Sequence, residues 1–211
     1  MPTKTNREYR DMVLRIVEDE PEERKVVTGY ASTFNEPYTL YEDDDLIYRE
    51  QVAPTAFDQT DMTDVIMQYD HEGRVFARMS NNTLRVAPDE KGLFIEADLG
   101  GTEIGRELYD EIAGGYTDKM SFGFIVSEDI EDRSEAVDGR VEILRTITGI
   151  SKLFDVSAVS IPANNGTSIS VSTRSRIDGV IEEIQAERLE AEKIELERRR
   201  AEVRARALGK D

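Results

Sequence analysis

Short apolar runs separated by turn residues fill most of the chain before about residue 171. Runs of this length between turn signals are typical of β-strands. They are Met12–Val17, Val26–Thr33, Val65–Tyr69, Thr83–Val86, Leu93–Leu99, Ser121–Val126, Val141–Ile147 and Val156–Ile161. Many strands with few helices predict a β-rich α+β fold, in which an antiparallel sheet closes, or nearly closes, into a barrel with helices packed outside.

One segment between these runs has the spacing of a helix. Thr102–Ala113 carries an apolar residue at every fourth position from Ile104 onward, and a pair of glycines follows as a stop signal. A second, shorter helix is predicted over Pro54–Gln59. Both are expected on the outside of the sheet.

The pattern changes in the last quarter of the chain. Arg174–Arg206 has almost no turn residues and is dense in Glu, Arg, Ala, Leu and Ile, which predicts one long helix. Its apolar stripe is too narrow for a core: Ile177, Ile181, Ile184, Ala191 and Ile194. We therefore expect a β-barrel domain over residues 1–173 and a charged helical tail over residues 174–211. The tail would project from the domain and either pair with a partner helix or be solvated.

Composition narrows the chemistry. The chain of 211 residues contains no cysteine, which excludes disulfides, zinc–thiolate sites and a cysteine nucleophile, and fits a reducing cytosol. No apolar run reaches the roughly 20 residues that span a bilayer, and the first residues lack the apolar core of a signal peptide. Glu42–Asp45 lacks the ligand spacing of a calcium loop, so neither a metal nor another cofactor is predicted.

The net charge of −18 is concentrated in the predicted barrel domain. Residues 178–211 hold 10 acids and 8 bases, whereas the rest of the chain holds 35 acids and 19 bases. Such a domain repels nucleic acids and anionic membranes, so neither is an expected partner. The charge either attracts a basic substrate or serves solubility alone.

The chain has a single histidine, His71, which follows the predicted strand Val65–Tyr69. A turn expected at Gly73 places it at the rim of the sheet, where side chains face a cleft. Histidine is suited to proton transfer near neutral pH. Taken alone, however, this segment favours an ordinary surface histidine without function.

Ser121 lies in a strand with clear alternation. Met120, Phe122 and Phe124 fall on one face, which we expect to be core, while Ser121 and Gly123 fall on the other. A residue without a side chain beside the hydroxyl lets a substrate backbone approach it. A serine on a solvent face beside a bulge glycine is the alternative.

Asp155 is the only charged residue in Leu153–Ile161, a segment with the pattern of a buried strand. A buried carboxylate without partners costs several kcal/mol, so Asp155 needs a group that donates hydrogen bonds to it. A histidine Nδ1–H is one candidate, and an arginine or backbone N–H groups are others.

The three residues fit one mechanism. Ser121 would attack a scissile carbonyl, His71 would take and return the proton, and Asp155 would orient His71. Their order along the chain, histidine then serine then acid, matches none of the common hydrolase orders, and Ser121 has no G-x-S-x-G elbow.

This order and several motifs resemble those of the prohead (capsid maturation) proteases of tailed phages. The matching segments are Gly29–Asn35, Glu50–Phe57, Tyr69–His71, Met120–Phe124, Leu153–Ser157 and Ile161–Asn164. That family is distantly similar in fold to the herpesvirus maturation proteases, which use a second histidine where this chain must use an acid. The phage family usually shows glutamate in the place of Asp155, and Glu142 is the rival for that role.

The resemblance implies a serine endopeptidase in the host cytoplasm, inside the immature capsid. Its substrates would be the scaffolding part of the major capsid protein and the enzyme itself, and self-association is expected. The tail would suit packaging or self-removal, with helical scaffolding segments as partners. The oxyanion hole is predicted near Pro162–Gly166, from strand order only.

Two other functions compete with a protease. One is a scaffold or minor capsid component that keeps the barrel without activity. The other is an adaptor that binds through its helical tail. An intact pair of His71 and Ser121 favours the enzyme.

Overall fold

The computed structural model describes residues 8–17, 24–159 and 171–208 of the chain. Strands dominate up to residue 159, and a long helix follows. The strands are β1 Glu8–Ile16, β2 Val26–Thr33, β3 Tyr38–Glu42, β4 Leu46–Val52, β5 Ile66–Tyr69, β6 Glu72–Arg78, β7 Leu84–Pro88, β8 Gly92–Asp98, β9 Lys119–Glu135 and β10 Val141–Val159; the helices are α1 Glu103–Ala113, α2 Val171–Leu208 and a 3₁₀ turn, Met79–Asn81. The predicted β-rich α+β fold with a long C-terminal helix is confirmed.

The ten described strands form one sheet with an open path. Its order is β3-β4-β10-β9-β1-β2-β8-β7, and the β5–β6 hairpin is attached to β10 beside this path. The predicted closed or nearly closed antiparallel barrel is therefore not confirmed. The 19-residue strand β10 offers one edge to two parallel partners, β4 along Val141–Ile147 and β5 along Asp155–Ala158. The sheet consequently branches at β10, and it is not wholly antiparallel.

Two strands are much longer than the apolar runs that predict them. β9 continues through an exposed, charged stretch up to Glu135, and β10 joins two predicted strands into one. Register shifts between Ile147 and Asp155 mark bulges where the two halves of β10 meet. Exposed charged residues in a strand look like loop residues in a sequence, so the apolar pattern reveals only the buried part of each strand.

The main core is built mostly from residues of the strands, and α1 packs against it. Helix α1 begins as predicted: the Thr102 hydroxyl accepts a hydrogen bond from the Gly105 N–H at 3.1 Å, and Leu108 and Ile112 pack into the core. The helix predicted over Pro54–Gln59 is wrong. The segment is a series of turns with hydrogen bonds between residues three apart, and it buries Ala56 and Phe57.

The first half of α2 packs against the sheet. Ile177 and Ile184 are buried and form a second apolar cluster with Leu46, Tyr48 and Ile143 of β4 and β10. The expectation that the apolar stripe of this helix lies outside the core is wrong for these two residues. Residues 185–204 are exposed all round, so only the second half of the helix projects. No helix in the described part of the chain is both long enough and apolar enough to cross a membrane.

An ion network with a buried arginine at its centre joins this helix to the sheet. Arg145 on β10 is almost completely buried and contacts Glu8, Glu50 and Asp129 at 2.6–2.9 Å. Asp129 also accepts a hydrogen bond from Arg176 of α2 at 2.6 Å. Several carboxylates around each guanidinium satisfy its donors, which is the condition under which buried charges are tolerated. The network therefore fixes β1, β4, β9, β10 and α2 together.

Candidate active site

The β5–β6 hairpin places His71 beside β10. Tyr69 pairs with Glu72, and the two residues between them, Asp70 and His71, have φ values of 48° and 59°. Positive φ at both central residues is the pattern of a type I′ turn. The Asp70 N–H donates to the Ala158 carbonyl at 2.8 Å, which ties the turn to β10. The turn thus lies at His71 itself, two residues before the predicted position at Gly73.

His71 and Asp155 are joined by a hydrogen bond. The distance from His71 Nδ1 to Asp155 Oδ1 is 2.5 Å, and only 2 % of the aspartate side chain is exposed. An ionised carboxylate only accepts hydrogen bonds, so the proton of this bond belongs to Nδ1. In the neutral ring Nε2 is then the basic nitrogen. Of the partners considered from the sequence for Asp155, the histidine is the one that contacts it among the described residues.

Ser157 is a second donor to the same carboxylate. Its hydroxyl donates to Asp155 Oδ1 at 2.7 Å, and the residue is completely buried. Sequence reasoning missed this residue. The signal was the two-residue separation of Asp155 and Ser157, which puts both side chains on one face of β10.

Ser121 lies on the neighbouring strand, on the face of this site. In the register of β9 and β10, Ser121 is opposite Ser157, and Gly123 is opposite Asp155. Directly opposed residues have Cβ atoms about 5 Å apart. Because Gly123 has no side chain, no Cβ atom lies opposite Asp155 at this position of β9. The alternation predicted for β9 therefore places Ser121 on the same face of the sheet as Asp155, on the neighbouring strand.

The Ser121 hydroxyl is closed off from solvent. Met120, Phe122 and Phe124 are buried in the core, as predicted, but Ser121 is only 1 % exposed and Gly123 is buried too. The alternative of a serine on a solvent face is therefore wrong. Within the described residues, Ser121 Oγ has no hydrogen-bond partner, so the structure does not contain a bond between Ser121 and His71.

The rival acid Glu142 is at the other end of β10. It forms an ion pair with Arg49 at 3.2 Å. Thirteen residues of extended strand separate it from Asp155, which corresponds to roughly 40 Å along the strand. A residue so far away does not reach His71, so Asp155 is the acid that the fold places at the histidine.

Two further points concern the oxyanion hole and metal binding. The predicted oxyanion segment, Pro162–Gly166, lies outside the described residues. Among the residues that the structure describes, no group of three or more acidic or histidine side chains is arranged to hold a metal ion.

Comparison with known protein families gives one informative match. The model of a family described as Caudovirus prohead serine protease matches residues 11–179. The matched region runs from β1 into the first half of α2 and includes His71, Ser121 and Asp155. Searches of curated proteins and of solved structures give no significant match.

Proposed function

Because the chain belongs to the family of caudovirus prohead serine proteases, we propose that Ser121 is its nucleophile, His71 the general base and Asp155 the acid that orients the base. The observation that carries this assignment is the contact of His71 Nδ1 with Asp155 on the strand that pairs with Ser121. The chain contains no other histidine, so no other side chain of this type competes for the role of base.

The geometry supports the roles that nucleophile, general base and orienting acid have in serine proteases. The bond to Asp155 holds the tautomer in which Nε2 accepts a proton. Ser121 Oγ attacks the scissile carbonyl carbon while its proton passes to Nε2 of His71. That proton is then given to the leaving amine, and a water molecule repeats the sequence to release the acyl group. Asp155 stabilises the imidazolium that forms in between.

The burial of Ser121 adds a requirement to this mechanism. A hydroxyl that is 1 % exposed cannot meet a peptide carbonyl until the groups that cover it move. Catalytic hydrogen bonds are commonly long or absent before substrate binds and form in the substrate complex. We propose that substrate binding opens the site and brings Ser121 into hydrogen-bond distance of His71.

The proposed substrate is the scaffolding part of the major capsid protein, and the enzyme also cleaves itself. Membership of the family implies a location inside the immature capsid, and we place this assembly in the host cytoplasm. Neither a nucleic acid nor a membrane is proposed as a partner, because the net charge is strongly negative.

We also propose self-association, and a division into a protease domain of residues 1–173 and a tail of residues 174–211.

The direct test is co-expression of the capsid precursor with Ser121→Ala. We expect shells whose subunits stay uncleaved on a denaturing gel. Ser127→Ala is the matched control, because Ser127 is an exposed serine of the same strand, and it should process normally. Normal processing by Ser121→Ala would contradict the assignment.

The alternative is an assembly protein that has the same fold without activity. The specific observation in its favour is the buried hydroxyl of Ser121, which lacks a hydrogen bond within the described residues. A serine-directed fluorophosphonate probe separates the two functions. Labelling of Ser121 in shells assembled with the wild-type chain supports the protease. If Ser121→Ala shells also mature normally, the assembly role is the better description.

A further inference from the structure

Ser157 contacts the acid of the proposed triad from within the same strand. Its hydroxyl donates to Asp155 Oδ1 at 2.7 Å, and His71 Nδ1 is 2.5 Å from the same oxygen. Ser157 is 0 % exposed and Asp155 is 1 % exposed. The carboxylate is thus held from two sides in a site that excludes bulk water.

We propose that Ser157 is a positioning residue of the protease, which fixes the Asp155 carboxylate so that it can orient His71. This inference rests on the proposed function, since it assigns a role within the same triad. Neither the sequence pattern nor the family match assigns any role to this serine.

The physical argument begins with the cost of a buried carboxylate. Removed from water, it needs hydrogen-bond donors for its lone pairs. His71 provides one donor, but His71 is also the group that moves a proton during the reaction. A donor that does not take part in proton transfer keeps the carboxylate in one rotamer while the imidazole becomes charged and neutral again. Ser157 is such a donor, because its position on β10 is set by the pairing of that strand with β5 and β9.

The geometry also argues against Ser157 as the nucleophile. A serine hydroxyl has one proton, and the proton of Ser157 is directed at Asp155. The base of the site contacts the same Asp155 oxygen through Nδ1, so Nε2 is directed elsewhere. Ser121 is opposite Ser157 in the strand register, and its hydroxyl forms no bond within the described residues. Ser121 is therefore the hydroxyl that is available to His71, and Ser157 is the one already engaged.

The test compares Ser157→Ala with two other variants in cleavage of a capsid-derived peptide by assembled enzyme. Loss of a hydrogen bond to a charged group corresponds to a rate roughly 10- to 100-fold lower, and we expect this loss in kcat with KM changed less than about twofold. Ser157→Thr keeps a hydroxyl and should recover most of the loss. Ser151→Ala is the matched control: Ser151 is an exposed serine of the same strand, and its hydroxyl donates to a backbone carbonyl.

Two further measurements separate positioning from a merely structural role. In an Asp155→Asn background, Ser157→Ala should cause no additional loss of kcat, because the two residues act through one bond. The chain has a single histidine, so protein labelled with ¹⁵N-histidine gives one set of imidazole signals. The Nδ1–H resonance should shift in Ser157→Ala and stay in place in Ser151→Ala. If Ser157→Ala fails to fold, Ser157→Cys, with a weaker donor of similar size, should show the same loss and shift.

The outcomes distinguish the two proposals. Wild-type kcat and an unchanged imidazole signal in Ser157→Ala would overturn the positioning role, while an inactive Ser121→Ala would leave the proposed function intact. Activity in Ser121→Ala, with the covalent probe attached to Ser157, would overturn both. A loss of kcat that is equally large in Ser151→Ala would also overturn the role, because it would show a general effect of changes in β10.

Discussion

His71 has a positive φ, which is uncommon for residues other than glycine. Its φ of 59°, next to the 48° of Asp70, belongs to a turn that favours Asn-Gly or Asp-Gly. A non-glycine residue there costs on the order of 1 kcal/mol. Local turn preference therefore does not explain the histidine. The contact of its ring with Asp155 does, and strain of this kind is typical of functional sites.

The choice of acid is testable at the level of single atoms. Asp155→Asn replaces a carboxylate oxygen and removes the acceptor that holds the His71 tautomer, so we expect kcat to fall by roughly 10²–10⁴-fold. Glu142→Gln is the matched change on the same strand, and it removes only a partly exposed ion pair with Arg49. It should retain activity within about twofold. The rates of peptide cleavage by the two purified variants show which acid orients His71. If Glu142→Gln is the slower variant, the assignment of Asp155 is wrong.

At the scale of elements, docking of α2 depends on charge as well as on apolar contact. Burial raises the pKa of Asp129, but hydrogen bonds and charge from Arg145 and Arg176 outweigh it, and the pKa lies below the ordinary value. The folded state therefore gains stability from this carboxylate above the unfolded-state pKa of about 3.9. That stability is lost as the pH falls below this value toward the lower pKa of the folded state.

This linkage predicts how the anchored helix responds to acid. Asp129→Asn should lower the free energy of unfolding by about 2 kcal/mol at pH 7, since it weakens hydrogen bonds to a charge. The difference between wild type and variant should shrink as the pH falls from about 4 to 2. Urea unfolding followed by circular dichroism measures it. A difference that stays constant over this range would show that Asp129 is not the titrating group.

The elements also show what the sequence can predict. Alternation identified Ser121 and Asp155 because a polar residue in an apolar strand stands out at a period of two. The same pattern could not reveal that β5 lies parallel to β10, because strand pairing is not encoded locally. It also placed the turn at Gly73 instead of at Asp70 and His71, since this dipeptide carries no glycine signal. The contact of Arg176 with Asp129 joins residues 47 positions apart, so a local periodicity does not predict it.

The molecule as a whole is an acidic body with a nearly neutral tail. Residues before Asp178 hold 35 acids and 19 bases, against 10 and 8 in the remainder. An uneven charge of this size produces a field that reaches beyond single contacts, and salt screens it over about 10 Å at 0.1 M. Substrates with basic residues beside the scissile bond should therefore be captured faster than neutral ones.

The corresponding measurement is the dependence of kcat/KM on salt. Two peptides with the same scissile sequence, one flanked by lysines and one by glutamines, should differ most at low ionic strength. We expect the advantage of the lysine peptide to fall about tenfold between 0.02 M and 0.5 M salt, mainly in the association step. Equal salt dependence for both peptides would mean that the charge serves solubility alone.

The bulges within β10 have a consequence for how the two ends of the strand can change in evolution. A one-residue insertion in a regular strand turns every following side chain to the opposite face. Register already shifts between Ile147 and Asp155, so this stretch can absorb a gained or lost residue locally. One half of β10 holds Arg145 and packs against α2, and the other half holds Asp155 and Ser157. The two halves can therefore change in sequence independently of each other. Homologous chains should accept length differences between these halves while each half keeps its own spacing.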